Sequence, residues 1–125
     1  MAGNGVQARK GEAYMEITSR NVGKCKVLAC SGPITLGPDT AALREAIRES
    51  VADGTSKVVL NLGDVPYIDS AGIGELISGF VHVKNQGGSL SLLNLTKKIN
   101  QLLAIAKLLT IFDVFEDEEK ALEGC

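Results

Sequence analysis

A buried strand followed at once by a helix, within residues 58–80, constrains the fold of this chain more than any other stretch. Residues 58–62 read Val-Val-Leu-Asn-Leu, a short apolar run rich in β-branched residues that is typical of a buried strand. Further along, apolar side chains recur at the spacing of one helix face, at Ile73, Leu76, Ile77, Phe80 and Val81. The stretch therefore predicts a strand-turn-helix unit.

The turn of this unit carries Asp69 and Ser70, followed by Gly72 and Gly74. Ser70 falls at or next to the predicted helix N-cap, where a hydroxyl can bond free backbone N–H groups and a negative group is tolerated. Such a serine is a helix cap, a nucleophile or a hydroxyl that another protein modifies. Two glycines in a first helical turn cost roughly 1 kcal/mol each relative to alanine, which argues against a merely structural helix start.

The rest of the chain predicts one α/β domain over residues 13–125, preceded by a loose polar tail at residues 1–12. The other predicted elements are strands at 14–18 and 26–30, a helix capped by Asp39 and ended by Gly54, a strand at 90–93, a helix capped by Thr96, a strand at 110–115 and a helix at 116–122.

The resulting order, β-β-α-β-α-β-α-β-α, predicts a mixed and mostly parallel sheet of about five strands with about four helices. The first strand is expected at an edge, antiparallel to the second. In such sheets, functional groups gather on the loops that leave the C-terminal ends of the parallel strands. Here these are loops 31–38, 63–70 and 94–96, so Ser70 is expected on that edge.

Composition narrows the class of protein. Charged residues make up 22% and the net charge is −2, so no basic surface suggests nucleic acid binding. The sequence has no apolar run long enough for a transmembrane helix and no signal-peptide pattern, so we expect a cytoplasmic protein without membrane insertion. Cys25, Cys30 and Cys125 match no zinc or redox spacing and are expected to be free thiols.

The sequence gives little support for a catalytic site, a cofactor site or a metal site. A hydrolase needs a base, and the single histidine, His82, lies twelve residues beyond Ser70 on the same helix, roughly 18 Å away. Gly72-Ile73-Gly74 lacks both the third glycine and the Gly-Lys-Ser/Thr ending of phosphate-binding loops. The acidic residues at 113–119 fit a solvated helix start better than a metal site. No catalytic residue, cofactor or metal is predicted.

Residues 61–74, which read Asn-Leu-Gly-Asp-Val-Pro-Tyr-Ile-Asp-Ser-Ala-Gly-Ile-Gly, resemble the signature of bacterial anti-sigma factor antagonists, which are single STAS domains. The core Asp-Ser-x-Gly-Ile/Leu-Gly after a β-rich run is its most specific part. The resemblance extends from about Tyr14 to Leu122 and includes Ser31-Gly32, Gly87-Gly88 and the closing residues 115–122.

The resemblance implies a partner-switching regulator that is not an enzyme. In that family the serine that corresponds to Ser70 is phosphorylated by an anti-sigma factor that is itself a serine kinase. The unphosphorylated form binds this kinase and frees a sigma factor, and a metal-dependent serine/threonine phosphatase restores it. Carried over by position, Ser70 is the phosphoacceptor, Asp69 is its neighbour at the helix start, and Gly72 and Gly74 keep the turn open for a partner.

Two loops at one edge of the predicted sheet are expected to form a shallow partner-binding face. Its predicted members are Ser31, Gly32, Pro33, Ile34, Thr35, Pro66, Tyr67, Asp69, Ala71, Gly72, Ile73 and Gly74.

The sequence departs from the family pattern at two positions. Ala71 stands where many members have a second hydroxyl, and Thr35 stands where many have an aspartate, which bears on partner choice. The alternative hypothesis is a STAS domain that serves as a permanent scaffold or as an accessory subunit of a lipid transporter, in which Ser70 need not be modified.

Overall fold

A computed structural model describes residues 15–125, so the predicted tail at residues 1–12 and the predicted strand residue Tyr14 lie outside the described residues. The elements in chain order are β1 (Glu16–Val22), β2 (Cys25–Ser31), α1 (Pro38–Ala52), β3 (Lys57–Asp64), α2 (Ser70–Asn85), β4 (Ser89–Leu93), α3 (Lys97–Ile105), β5 (Asp113–Phe115) and α4 (Glu118–Ala121).

The five strands form one sheet in the order β1-β2-β3-β4-β5. β1 pairs antiparallel with β2, and the other pairs are parallel, which confirms the predicted mixed sheet and the antiparallel edge strand. The register places Leu28, Leu60 and Leu92 side by side across the three central strands. Because side chains alternate along a strand, this shared register gives the sheet one continuous apolar face.

Helices α1, α2 and α3 cover that face and enclose the main core. Leu60 on the central strand and Leu76 on α2 are both fully buried. The predicted apolar stripe of α2 is partly wrong, because Ile77 is only half-buried and Val81 is 48% exposed, whereas Val83 is buried.

Glycines explain this shift of the α2 stripe. The buried positions of α2 include Gly72 and Gly79. A Cβ atom at Gly79 would lie 2.7 Å from Cδ1 of Ile47 on α1. The two helices therefore pack closely at Gly79. Leu76 and Val83 fill the core, and Ile77 and Phe80 are only half-buried.

The opposite face of the sheet carries a smaller cluster formed by Val27, Val59, Leu93 and Ala121, with Phe115 and Leu122 packed against it. Here the structure corrects the cysteine prediction. Cys25 and Cys125 form a disulfide across 100 residues of sequence, and only Cys30 is a free, buried thiol. The pairing was hidden from spacing rules because α4 brings the end of the chain back to the start of β2.

Several observed boundaries differ from the predicted ones, and three of these differences have a clear structural basis. β1 extends to Val22, since a turn at Gly23 and Lys24 suffices to join it to β2. Helix α1 begins at Pro38 with Gly37 as N-cap, so Asp39 is not the cap. The last strand is shortened to Asp113–Phe115 because residues 106–112 form turns. Within residues 15–125, no helix has both the length and the apolar character needed to cross a lipid bilayer.

Candidate functional site

The loops that follow β2 and β3 meet at the C-terminal edge of the sheet, as predicted. The N–H of Gly32 donates to the carbonyl of Asp64 (3.0 Å), and the N–H of Ile34 donates to the carbonyl of Tyr67 (3.0 Å). Ile34 also forms a parallel β-bridge with Ile68. These backbone hydrogen bonds continue the β2–β3 pairing beyond the strands, so the two loops form one bonded surface next to Ser70.

Asp69 both caps α2 and joins the two loops. Its Oδ1 accepts a hydrogen bond from the N–H of Gly72 (2.8 Å), and its Oδ2 accepts one from the N–H of Leu36 (3.0 Å). These bonds, with that from Leu36 the largest influence, hold the pKa of Asp69 below its usual value. The carboxylate is therefore ionised at neutral pH and is fixed in place beside Ser70.

A second carboxylate, that of Asp39, accepts hydrogen bonds from the first loop, residues 31–38. Its Oδ2 accepts hydrogen bonds from the N–H (3.2 Å) and the hydroxyl (3.0 Å) of Thr35, and its Oδ1 accepts one from the N–H of Met15 (2.9 Å). Asp39 is buried. The residue predicted to cap α1 instead fixes the conformation of loop 31–38.

Ser70 is the first residue of α2 and is exposed. Among residues 15–125 its hydroxyl makes no hydrogen bond, because Asp69 provides the cap. The sequence left three roles open to Ser70, and the structure assigns one of them, the helix cap, to Asp69. What remains is a solvent-accessible hydroxyl at the positive end of a 16-residue helix.

The two glycines of the α2 start have different surroundings. Gly72 is buried, and a Cβ there would lie 2.5 Å from the carbonyl oxygen of Ile34 and 2.6 Å from Cγ2 of Ile68. It lets the first loop pack against α2. Gly74 is exposed, with nothing within 4 Å of a Cβ at that position.

The other residues of the predicted face divide by exposure. Ser31, Pro66 and Tyr67 are exposed, and Asp69 is half-buried, as are Gly32, Pro33, Thr35, Ala71 and Ile73. Ile34 is fully buried, so its side chain belongs to the core.

Sequence reasoning missed Leu36, which is 77% exposed and whose N–H is bonded to Asp69. An isolated leucine in a loop rich in glycine and proline was the available signal. Tyr67 is 44% exposed, and Nζ of Lys98 lies 5.3 Å from the centre of its ring. Leu36 and Tyr67 therefore add apolar area to a surface that also carries charge, a combination typical of protein interfaces.

The single histidine of the sequence is too far from Ser70 to act as its base. His82 lies three turns further along α2, roughly 18 Å away at 1.5 Å per residue. In the part of the chain that the structure describes, no three His, Cys, Asp or Glu side chains converge as a metal site would require. This edge of the sheet exposes the hydroxyl of Ser70 together with a partly apolar surface.

Comparison with known proteins places this geometry in a family context. The sequence model described as "STAS domain" matches residues 16–121. The anti-sigma-B factor antagonist of Bacillus subtilis (strain 168) is 40% identical over 62 residues, which are 50% of this chain and 57% of that protein. The match thus spans just over half of the length of this relative.

Solved structures share the fold. The anti-sigma factor antagonist SpoIIAA in its unphosphorylated form is 17% identical, with a TM-score of 0.72 over 86% of this chain and 93% of that chain. The phosphorylated form of SpoIIAA, a Bacillus cell fate determinant, is also 17% identical, with a TM-score of 0.67 over 86% of this chain and 96% of that chain.

Proposed function

Because this chain belongs to the STAS domain family, whose sequence model matches residues 16–121, we propose that it is an anti-sigma factor antagonist. Its unphosphorylated form binds an anti-sigma factor that is also a serine kinase, and this binding frees a sigma factor. The kinase phosphorylates Ser70, which ends the binding. A metal-dependent serine/threonine phosphatase removes the phosphate again. All of these partners act in the cytoplasm.

The observation that carries the proposal is the exposed hydroxyl of Ser70, which makes no hydrogen bond within residues 15–125. It is exposed at the first position of α2, while the neighbouring Asp69 caps the helix. A kinase can therefore reach and modify this oxygen without breaking a hydrogen bond on which the helix depends. The names of the relatives agree with this reading, since one is an anti-sigma-B factor antagonist and SpoIIAA is described in unphosphorylated and phosphorylated forms.

The surface around Ser70 supports a protein partner. Leu36 and Tyr67 offer exposed apolar area on the two loops, and Gly74 leaves open space on the first turns of α2. Hydrogen bonds to Asp39 and Asp69 hold the first loop in one conformation. A partner that docks here loses little free energy in ordering the loop, because the loop is already ordered.

A phosphate on Ser70 would change the charge of this surface. It adds about −1.5 to −2 charges at pH 7 directly beside the ionised carboxylate of Asp69. None of the three ion pairs among the described residues involves Asp69. Burying the phosphate in an interface next to this carboxylate would cost desolvation and like-charge repulsion, so phosphorylation would release the partner.

Incubation with the anti-sigma kinase of the native host and ATP, read by intact mass, tests the proposal. We expect wild-type protein to gain one phosphoryl group and Ser70→Ala to gain none. Ser78→Ala is the matched control, because Ser78 is also exposed on α2 and its loss should leave the mass gain unchanged. No mass gain in wild type, together with equal kinase affinity for wild type and Ser70→Glu, would favour the scaffold or accessory-subunit alternative.

A further inference from the structure

The disulfide between Cys25 and Cys125 lies at the end of the sheet opposite to Ser70. Cys25 is the first residue of β2, and its neighbour in the parallel register is Lys57, the first residue of β3. Ser70 follows the other end of β3. Since β2 has seven residues, its two ends are about 20 Å apart. The disulfide therefore belongs to a different surface from the partner-binding face.

Residues 121–125 pack closely against the start of β2 and β3. Nζ of Lys57 donates to the carbonyl oxygens of Ala121 (3.0 Å) and Glu123 (3.4 Å). Gly23, in the turn between β1 and β2, has a positive φ of 59°, and a Cβ there would overlap the carbonyl oxygen of Cys125. Lys57 thus bonds the last residues beside Cys25, and Gly23 leaves room for them.

Helix α4 has few other attachments to the sheet. It is four residues long, and its apolar contact with Val27, Val59 and Leu93 is made by Ala121 and the half-buried Leu122. The ion pair of Glu118 with Arg20 is solvent-exposed, so it contributes little to holding the helix. A helix this short is not stable by itself. The covalent bond is therefore the strongest single tie between α4 and the sheet.

We propose that Cys25 and Cys125 form a redox-sensitive latch that controls whether α4 covers the second face of the sheet. Cys125 is exposed, so an attacking thiolate can reach its sulfur, whereas Cys25 is buried. In the oxidised state α4 shields Val27, Val59 and Leu93. In the reduced state α4 detaches frequently and uncovers this apolar patch.

The chemistry of opening is thiol–disulfide exchange with a dithiol reductant. A thiolate of the reductant attacks Sγ of Cys125, the bond to Cys25 breaks, and Cys25 leaves as a thiolate that takes up a proton. The second thiol of the reductant then attacks the reductant's sulfur atom in the mixed disulfide. This step breaks the bond to Sγ of Cys125 and releases it as a thiol. The protein gains two electrons and two protons, and the reductant becomes a disulfide. Oxidation of the two thiols by a protein or small-molecule disulfide reverses these steps.

Cys30 takes no part in this exchange. It lies in the main core on the other face of the sheet, and burial raises the pKa of its thiol to about 12. Because the thiolate is the reactive form, Cys30 is inert while the protein is folded. It provides a matched control on the same strand as Cys25.

Counting thiols in the full-length protein tests the first half of the proposal. After equilibration with oxidised glutathione and alkylation in denaturant, intact mass should show one labelled cysteine per chain, and three after treatment with dithiothreitol. Cys30→Ala should show no labelled cysteine after oxidised glutathione and two after dithiothreitol. Three labels on wild type in both states would overturn the proposal.

Amide hydrogen exchange, read by mass spectrometry, tests the second half. The N–H groups of Ala121, Leu122 and Cys125 are hydrogen-bonded within the chain end. Dithiothreitol should speed their exchange about tenfold or more in wild type and in Cys30→Ala. Cys125→Ser should exchange at the faster rate with or without dithiothreitol. Equal protection of the chain end in oxidised and reduced wild type would overturn the proposal, as would full protection in Cys125→Ser.

Discussion

Asp69 and Ser70 are adjacent residues with separate tasks. Both can cap a helix, and the sequence alone does not decide between them because either side chain can reach a free N–H group. The structure gives the cap to Asp69, whose carboxylate also bonds the N–H of Leu36 on the other loop. An alcohol oxygen at position 69 could not reach in both directions as a carboxylate does. The hydroxyl of Ser70 is thereby left for modification.

Because Asp69 and not Ser70 caps α2, truncating these two side chains should lower the free energy of unfolding by different amounts. Ser70→Ala should change the free energy of unfolding by less than about 0.5 kcal/mol, as for other exposed positions without a structural bond. Asp69→Ala should lower it clearly, because the N–H groups of Gly72 and Leu36 both lose their acceptor. Urea unfolding of the two variants under identical conditions measures the difference. A larger loss for Ser70→Ala than for Asp69→Ala would mean that the serine is the cap after all.

At the scale of the elements, the first loop and the start of α2 depend on each other. Gly72 allows Ile34 to approach the helix, and Asp69 bonds the backbone of Leu36. Neither contact follows from the local pattern, because each joins residues more than 30 positions apart. The sequence predicted that the two loops share an edge, but it could not predict that Ile34 turns inward while Leu36 faces solvent.

The two glycines of α2 provide a matched pair for this interdependence. Gly72→Ala should destabilise the protein by about 1–3 kcal/mol, because the new methyl group overlaps the carbonyl of Ile34. Gly74→Ala should stabilise it by up to about 1 kcal/mol, since the site is open and alanine favours the helix. Thermal and urea unfolding measure both. Equal destabilisation by the two changes would contradict the proposed packing of the loop.

Leu36 tests the contact surface on the same loop. Leu36→Ala should weaken binding of the anti-sigma kinase about tenfold or more, equivalent to at least 1.4 kcal/mol, with unchanged stability. Ile105→Ala is the control, because Ile105 is 80% exposed at the end of α3, which runs away from the Ser70 edge of the sheet. Titration calorimetry gives both affinities. A comparable loss for Ile105→Ala would place the interface elsewhere.

At the scale of the whole molecule, the parallel pairing and the antiparallel edge strand followed from the sequence because each strand is separated from the next by a single helix or by a tight turn. The disulfide could not be predicted from the sequence. Cys25 and Cys125 lie 100 residues apart, and their proximity depends on how α4 crosses the second face of the sheet. The helical pattern also failed to predict the exposure of Val81, because it does not show that α2 approaches Ile47 of α1 closely at Gly79.

The proposed switch predicts that the whole domain stays folded while its affinity for the kinase changes. A negative side chain at the first position of α2 faces the positive end of the helix dipole, so Ser70→Glu should keep the free energy of unfolding within about 0.5 kcal/mol of wild type. The same change should weaken kinase binding roughly a hundredfold, or 2.8 kcal/mol, since its charge adds to that of Asp69 in the interface. Ser70→Ala should bind like wild type and should not be released by ATP.

Leu60→Ala provides the contrast with a variant that loses function through instability. Leu60 is fully buried on the central strand, so its truncation should cost about 2–5 kcal/mol of stability. Circular dichroism, urea unfolding and titration calorimetry on the same preparations separate the two mechanisms. If Ser70→Glu lost affinity only in proportion to lost structure, as Leu60→Ala should, phosphorylation would act by unfolding the domain. An unchanged spectrum with lost affinity places the effect of the charge at the surface, where Ser70, Asp69 and Leu36 lie together on the edge of the sheet.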